Sequence, residues 1–217
     1  MLLGTLAKQV LDRLLIDLSW ASSHLEGNTY SHLDTAKLIQ RGLAAHDKNP
    51  TDAQMILNHK AAIEYLVLTD VPRPLDRSTI DALHVFLSDG LISDPMDGGR
   101  IRNIPVEIYG SSYRPLALPA SLDALLTHVL AIANEIEHPL EQSLFLMVHL
   151  PYLQPFIDVN KRVSRLAANI PLIAANLAPL SFINVPPKSY SKAVLAVYEL
   201  LDTRPLADLF CWAYERA

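Results

Sequence analysis

The sequence has only one cysteine, and it has no apolar run of the roughly 18 residues needed to cross a bilayer. Cys211 alone provides neither a disulfide framework nor a thiolate metal site. The first 20 residues lack the basic start, compact apolar block and small-residue cleavage site of an export signal. We therefore expect a cytoplasmic protein with no membrane partner.

The chain also lacks internal repeats, low-complexity tracts and an excess of positive charge. Its formal net charge is −5. Nonspecific affinity for nucleic acid comes mostly from a basic surface that neutralises phosphates, so this charge argues against a nucleic-acid partner. A local phosphate site is still compatible with it. A length of 217 residues predicts one large domain, because it suffices for one well-buried core and is short for two.

Helical periodicity dominates the remaining pattern and predicts a mainly α fold. Apolar residues recur every three or four positions over residues 6–26, 31–45, 51–68, 76–88, 121–136, 139–153, 160–176, 187–201 and 205–216. The last of these segments ends without a stop signal, which leaves open a longer native chain with a further C-terminal domain. Between residues 94 and 120, glycine and proline punctuation around an alternating Val106, Ile108 pattern predicts a β-hairpin with its turn at 110–112.

The stretch PYLQPFIDVNKRVSR, residues 151–165, concentrates charge in one short segment. A helix that begins near Asn160 directs free backbone N–H groups and a positive dipole end at the preceding loop, which favours an anion. Arg162 and Arg165 share a face of that helix. Cations near a helix N-terminus are unfavourable unless a polyphosphate neutralises them. Asp158 could hold Mg²⁺, which commonly uses one or two carboxylates together with phosphate oxygens. The alternative is that Asp158 caps the helix and the cations form a solvated surface.

The same stretch resembles the signature of the Fic family, H-P-F-x-[D/E]-G-N-G-R-x-x-R. The matching residues are Pro155, Phe156, Asp158, Asn160, Arg162 and Arg165, and the departures are Gln154, Val159 and Lys161. Two other segments agree with the family in the expected order. Ser22-x-x-x-Glu26-Gly27 resembles its inhibitory-helix motif, and GRIRNIPVEI, residues 99–108, resembles the start of its β-hairpin flap.

The resemblance implies a Fic-type helical bundle with a small β-hairpin flap at about 100–119. Residues 1–30 would be an inhibitory helix region and 31–217 the Fic-type domain, together one compact unit. Typical members transfer AMP from ATP to a Ser, Thr or Tyr hydroxyl of a target protein, and relatives with an inhibitory helix often form homodimers. By this resemblance Asp158 coordinates Mg²⁺ and Arg162 acts in catalysis. Nucleotide binding falls to Asn160, Lys161, Arg162 and Arg165, and docking of the target to Val106, Ile108, Tyr109 and Tyr113 in the flap.

The departures from the signature bear on activity. Gln154 stands where the family has the histidine that takes the proton of the attacking hydroxyl, and glutamine does not titrate near neutrality. His149 could substitute only through an irregular backbone, because it lies five residues earlier and Pro151 intervenes. Lys161 makes the motif similar to that of the Doc branch, whose members transfer the γ-phosphate. Three functions therefore stay open: an AMP transferase of reduced activity, a non-catalytic nucleotide-binding regulator, and a Doc-like phosphotransferase.

Glu26 is predicted at the C-terminal end of the first helix, where the negative end of the helix dipole disfavours a carboxylate. A cationic partner would offset this unfavourable interaction. The resemblance supplies Arg165 as that partner and makes Glu26, with Ser22 and Gly27, an autoinhibitory element that blocks the ATP γ-phosphate. The alternative is a helix that simply ends in Glu-Gly-Asn. We expect His24 and His59 to be core or surface residues, and Tyr190 and Tyr198 to be core or interface aromatics. Ser111, Ser112 and Tyr113 could accept a self-modification, or they could form an ordinary polar loop tip.

Overall fold

The computed structural model describes residues 5–69 and 71–217, so the first four residues of the predicted inhibitory region lie outside the described residues. The described chain is mainly helical, as predicted. Its helices are α1 Thr5–Gln9, α2 Leu11–His24, α3 His32–Arg41, α4 Pro50–Val67, α5 Arg77–Ser88, α6 Pro119–Glu135, α7 Pro139–Leu153, α8 Asn160–Ala167, α9 Asn169–Ala174, α10 Pro187–Leu200 and α11 Arg204–Tyr214, with a 3₁₀ turn at Pro95–Asp97. None of these helices is both long and apolar enough to cross a membrane.

Local sequence signals explain several of the helix ends. The Ser31 hydroxyl accepts the backbone N–H of Asp34 and caps the start of α3. Gly42 ends α3 in the left-handed conformation, with φ of 68°, so the helix predicted over 31–45 stops at Arg41. Pro50 occupies the first position of α4 behind the cap residue Asn49, where a missing N–H has no cost.

The helix predicted over 160–176 is broken into α8 and α9 at Ala168. Pro171 accounts for the break, because proline has no N–H to donate to the carbonyl of Ala167 and its ring crowds that carbonyl. α8 is therefore short, and seven of its eight residues are buried.

Most buried apolar side chains belong to one hydrophobic cluster, and Tyr30, Leu38 and Ile56 form a second, smaller one. α7 lies within the larger cluster and packs against α6, α8 and α9, while α2 packs against α3, α4 and α8. Phe156, in the loop between α7 and α8, is fully buried and stacks on His84 at 4.0 Å between ring centroids. The loop that carries the charged motif is therefore anchored in the core.

The segment 101–118, which we term the flap loop, corrects one prediction. None of its residues lies in a β-strand, so the predicted β-hairpin is not supported. Side-chain bonds replace a backbone ladder: the Arg102 guanidinium donates to the carbonyls of Ile104 and Leu116, one in each arm. Pro105 and Pro115 lack the N–H groups that a ladder would use. At the tip, the Ser111 N–H donates to the Ile108 carbonyl and closes a turn.

Candidate functional site

The N-terminus of α8 is formed by an unusual backbone conformation. Val159 occupies the cap position with φ of 68°, and no side chain caps the helix. A left-handed conformation costs a non-glycine residue about 1–2 kcal/mol, and β-branched valine tolerates it poorly. The family signature has glycine at this position. The alternative role of Asp158 as the helix cap is wrong, because its Oδ1 accepts the N–H of the next residue at 2.6 Å and its side chain is 67% exposed.

Asn160 uses its side chain to shape the loop. Its Oδ1 accepts the Phe156 N–H at 3.0 Å, and its Nδ2 donates to the Phe156 carbonyl at 2.9 Å and to Gln154 Oε1 at 2.8 Å. Both amide hydrogens are therefore engaged. In this arrangement Asn160 offers an anion its backbone N–H rather than its side chain.

Gln154 ends α7 in a left-handed conformation, with φ of 50°, and its side chain is also engaged. Its Nε2 donates to the Pro151 carbonyl at 2.7 Å and lies 3.4 Å from the Tyr198 hydroxyl. Burial raises the pKa of Tyr198 well above its usual range, so that hydroxyl stays protonated. His149 directs Nδ1 at the Phe145 carbonyl, one turn back on α7, and lines neither cavity beside Gln154.

Arg165 is completely buried, and the chain itself satisfies most of its donors. Nε donates to the Ser22 hydroxyl at 2.9 Å, and Nη1 donates to the Tyr190 hydroxyl at 2.9 Å. Nη2 donates to the Ser22 carbonyl at 3.0 Å and to Glu26 Oε1 at 2.7 Å. Burial alone would lower the pKa of Arg165, but these partners outweigh it and raise the pKa. The guanidinium is thus held as a fixed cation.

Glu26 lies two residues beyond the end of α2 and contacts two cations of the motif. Its Oε1 pairs with Arg165 at 2.7 Å and its Oε2 with Lys161 at 2.8 Å. Burial alone would raise the pKa of Glu26, but the two cations outweigh it and hold the pKa at about 2. Gly27, with φ of 90°, turns the chain directly afterwards. The contact with Arg165 agrees with the sequence-based expectation, whereas the contact with Lys161 was not predicted.

Arg162 differs sharply from Arg165. It is 7% exposed, and its Nη1 has no hydrogen-bond partner in the described part of the chain. Its Nη2 lies 3.8 Å from Asp158 Oδ2. Burial lowers the pKa of Arg162 from its ordinary value. A buried guanidinium N–H beside an empty space favours an anion, because leaving it unsatisfied is costly.

Two adjoining cavities meet at this point. The smaller, of about 50 Å³, is lined by Glu26, Gln154, Asp158, Val159, Asn160, Lys161 and Arg162. The larger, of about 520 Å³, shares Glu26, Gln154, Asp158 and Lys161 and extends between the flap loop and α10 along Glu107, Ile108, Tyr109, Gly110, Tyr190, Ser191, Val194, Leu195 and Tyr198. The larger volume is in the range of small-molecule and cofactor sites. Together the cavities offer an end where the cations Lys161 and Arg162 lie beside two carboxylates, and a groove lined partly by apolar side chains.

The flap-loop residues predicted to dock a target occupy different environments. Tyr109 is fully exposed at the tip and lines the larger cavity together with Ile108. Val106 is partly buried outside both cavity linings. Tyr113 points inward, stacks on Tyr152 at 4.6 Å and donates its hydroxyl to the Tyr152 carbonyl. The geometry therefore makes Tyr113 an anchor of the flap loop.

The loop offers one exposed carboxylate to a metal. Within residues 5–69 and 71–217 there is no group of three or more His, Cys, Asp or Glu side chains that could hold a metal ion. Asp158 keeps Oδ2 at the cavity wall. This donor set fits Mg²⁺, which retains water and borrows oxygens from a bound phosphate, and it does not fit an all-protein metal cage.

Several site residues were missed by sequence reasoning. His59, Arg102 and Tyr190 are buried, and each makes a hydrogen bond to a motif residue or its direct neighbour. The sequence gives little signal for these contacts, because the partners lie 37, 52 and 25 residues apart. Of the three, Arg102 had the clearest sequence signal, because it lies within residues 99–108, the segment that resembles the start of the flap.

Comparisons with known proteins show what the chain is similar to. Residues 74–172 match the model of the Fic/DOC family. "Protein adenylyltransferase Fic" of Aedes aegypti is 28% identical over 160 residues, which cover 72% of this chain and 32% of that relative. "Protein adenylyltransferase fic-1" of Caenorhabditis elegans is 25% identical over 185 residues, covering 83% and 36%. The chain thus spans about a third of the length of the curated relatives it matches.

A solved structure shows the same fold. The crystal structure of a Fic family protein from Desulfovibrio desulfuricans G20 superposes with a TM-score of 0.79 at 22% sequence identity. The match covers 98% of this chain and 67% of that one. At this identity the likeness shows the helical fold alone.

Proposed function

From the premise that the chain carries a Fic/DOC domain at residues 74–172, we propose that it is an ATP-binding protein adenylyltransferase. It transfers AMP from ATP to a Ser, Thr or Tyr hydroxyl of a target protein. The relatives named as protein adenylyltransferases support the reaction class, and the site supports the nucleotide. Residues 1–30 contribute an inhibitory region to the domain formed by the rest.

The observation that carries the proposal is the unpartnered Nη1 of Arg162. A buried N–H on a guanidinium asks for an anionic acceptor, and the adjoining cavities are large enough for a nucleotide. The N-terminus of α8 adds its dipole to the same place. We assign Asp158 and the nucleotide phosphates to a shared Mg²⁺, which would neutralise charge on the leaving pyrophosphate when bound.

The position of Glu26 supports an autoinhibited state. Its carboxylate occupies Arg165 and Lys161, the two cations that would otherwise meet the distal phosphates. A triphosphate must displace that carboxylate to reach them. Because the pKa of Glu26 is held at about 2, protonation does not release the brake near neutral pH.

Gln154 lowers the rate of the reaction that we propose. The hydroxyl oxygen of the target attacks the α-phosphorus, the bond from that phosphorus to the pyrophosphate oxygen breaks, and pyrophosphate leaves. The hydroxyl proton must pass to solvent, since glutamine cannot accept it. Loss of a positioned base costs on the order of 10² to 10⁴ in rate. The flap loop, with Tyr109 exposed at its tip, is the proposed docking surface for the target.

A second candidate function is a nucleotide-dependent regulator without transfer activity. The engaged side chain of Gln154 favours it: Nε2 donates to the Pro151 carbonyl and lies 3.4 Å from the Tyr198 hydroxyl, and Oε1 accepts from Asn160. Both ends of the amide therefore have partners within the chain and are not free to orient a substrate. Phosphoryl transfer is the third outcome. Its motif feature, Lys161, is already paired with Glu26.

Removal of the Glu26 carboxylate tests the proposal. Glu26→Gly should tighten binding of a non-hydrolysable ATP analogue with Mg²⁺ by about tenfold or more in calorimetry, equivalent to about 1.4 kcal/mol. Glu137→Gly, in an exposed loop, is the matched control and should leave the affinity unchanged. Failure of both the wild-type protein and Glu26→Gly to bind the nucleotide would contradict the proposal.

Gln154→His in the Glu26→Gly background separates the candidate reactions. Incorporation of label from α-labelled ATP, increased by about 10² to 10⁴, indicates a dormant adenylyltransferase. Label from γ-labelled ATP alone indicates phosphoryl transfer. Nucleotide binding without incorporation of either label indicates the regulator.

A further inference from the structure

His59 of α4 reaches into the region that holds Arg165. It is completely buried, and its Nε2 lies 2.8 Å from the Ser22 hydroxyl oxygen. Its Nδ1 lies 2.8 Å from the Met55 carbonyl, one turn back on the same helix, and 3.3 Å from the Ser23 hydroxyl. The same Ser22 oxygen accepts the N–H of Arg165 Nε at 2.9 Å.

The partners of His59 fix its tautomer. A carbonyl oxygen only accepts, so the 2.8 Å contact with Met55 requires the proton on Nδ1. The opposite tautomer would place two lone pairs against each other there. Nε2 of the neutral ring is then an acceptor, and the Ser22 hydroxyl donates its single hydrogen to it.

A charged ring does not fit this position. Burial lowers the pKa of His59 to about 3. The hydrogen bond to the Met55 carbonyl and, less strongly, Glu26 oppose this shift, whereas Arg162 and Arg165 add to it. The imidazole therefore stays neutral at every pH at which the protein would work, and Nε2 remains an acceptor.

We propose that His59 is a positioning residue for Arg165: it takes the hydroxyl hydrogen of Ser22 and so turns the Ser22 oxygen toward the guanidinium. The bonds then run in one direction, from Arg165 to Ser22, from Ser22 to His59, and from His59 to Met55. This inference rests on the autoinhibition proposed above, because orienting Ser22 holds Arg165 in the geometry that also binds Glu26.

Two amide replacements distinguish positioning from simple packing. In His59→Gln, the side-chain oxygen reaches the position of Nε2 and can still accept from Ser22. In His59→Asn, the shorter amide matches the Nδ1 side and cannot reach Ser22. Both replacements are polar and of similar size, so a general loss of packing would affect them alike.

The test combines nuclear magnetic resonance with calorimetry. Ring nitrogen shifts of His59 in the wild-type protein should report the neutral Nδ1–H tautomer. Exchange of the Arg165 Nε–H with solvent should speed up in His59→Asn and stay near the wild-type rate in His59→Gln. Binding of the non-hydrolysable ATP analogue should tighten about two- to tenfold in His59→Asn alone, the effect of one hydrogen bond.

The Nε2–H tautomer in the wild-type protein, or equal Arg165 exchange in wild type, His59→Asn and His59→Gln, would overturn the assignment. The tautomer measurement needs no variant, so it decides even if a substitution prevents folding. If Glu26→Gly tightens nucleotide binding and His59→Asn does not, the role of His59 is wrong and the proposed function stands. If neither wild type nor Glu26→Gly binds nucleotide, the proposed function fails and the resonance data alone decide on His59.

Discussion

Arg162 and Arg165 lie one turn apart on α8, yet their guanidinium groups differ in how many hydrogen-bond partners the chain gives them. Both are almost inaccessible to solvent. Arg165 donates four hydrogen bonds, to the Ser22 hydroxyl and carbonyl, to Tyr190 and to Glu26. Arg162 has a distant carboxylate at 3.8 Å and one nitrogen without any partner among the described residues.

The difference comes from the elements that reach each side chain. α2 and the turn after it deliver Ser22 and Glu26 to Arg165, and α10 delivers Tyr190. Asp158, an exposed residue of the loop before α8, approaches Arg162 at 3.8 Å. Arg165 is therefore satisfied mostly from within the chain, whereas Arg162 keeps a buried nitrogen without a hydrogen-bond partner among the described residues.

The largest expected effect is on stability. Arg165→Met should lower the free energy of unfolding by about 3–5 kcal/mol, because it leaves the buried Glu26 carboxylate and the Ser22 and Tyr190 hydroxyls without their shared partner. Arg162→Met should change it by about 1 kcal/mol or less, or raise it, because the guanidinium it removes is largely unpaired. Urea unfolding monitored by circular dichroism measures both. Equal losses in the two variants would refute the contrast.

An effect of intermediate size is expected on nucleotide binding. In the Glu26→Gly background, Arg162→Met should weaken binding of the ATP analogue by about 1.5–3 kcal/mol, the value of a hydrogen bond to a charged group. Arg204→Met is the matched control, since Arg204 lies at the surface and pairs with Asp202. An unchanged dissociation constant in Arg162→Met would remove the reason for regarding Arg162 as the open half of the site.

The smallest expected effect is a pH dependence of the free energy of unfolding, to which His59 and His84 contribute separately. Burial lowers the pKa of His59 to about 3 and that of His84, near Arg162 and Asp158, to about 4. Unfolding between pH 6 and 5 therefore takes up a proton at each. The free energy of unfolding should fall with decreasing pH by up to about 1.4 kcal/mol per pH unit for each histidine.

Single replacements assign the pH dependence. His59→Gln and His84→Gln should each remove one of the two contributions, whereas replacement of the exposed His138 should remove neither. Urea titrations at several pH values between 6 and 5 measure the slope. An unchanged slope in either buried variant would show that the corresponding histidine is already charged in the folded protein.

The sequence predicted helices better than it predicted their interruptions. α7 was predicted with its observed bounds, because apolar periodicity and Pro139 at its first position define it. The break at Ala168 was missed, although Pro171 signals it, since the apolar pattern continues on both sides. The flap loop was misread because alternation of Val106 and Ile108 is typical of a strand, whereas strand formation needs a partner that Pro105 and Pro115 impede.

The site was predictable where the motif is contiguous and obscure where it depends on distant helices. The charged residues 158–165 indicated an anion site from local sequence, although a capped helix with solvated cations was an equal alternative until the resemblance was considered. The double pairing of Glu26 was only half predicted, because Lys161 departs from the family pattern and nothing local indicates its partner. His59 was assigned to the core or surface, and it is indeed buried, but its contact with Ser22 arises only when α2 packs against α4.

Arg102 gives the groove a mechanical property. Its buried guanidinium joins both arms of the flap loop to the carbonyl of Gln154, and its own N–H bonds to the carbonyl of Pro155. The guanidinium is a rigid plane that donates to Gln154, Ile104 and Leu116. Displacement of either arm of the flap loop would therefore strain the peptide group of Gln154 at the end of α7. A segment pressing on the flap loop from outside would thus transmit force to Gln154, which lines both cavities, and a ligand held there would in turn stiffen the flap loop.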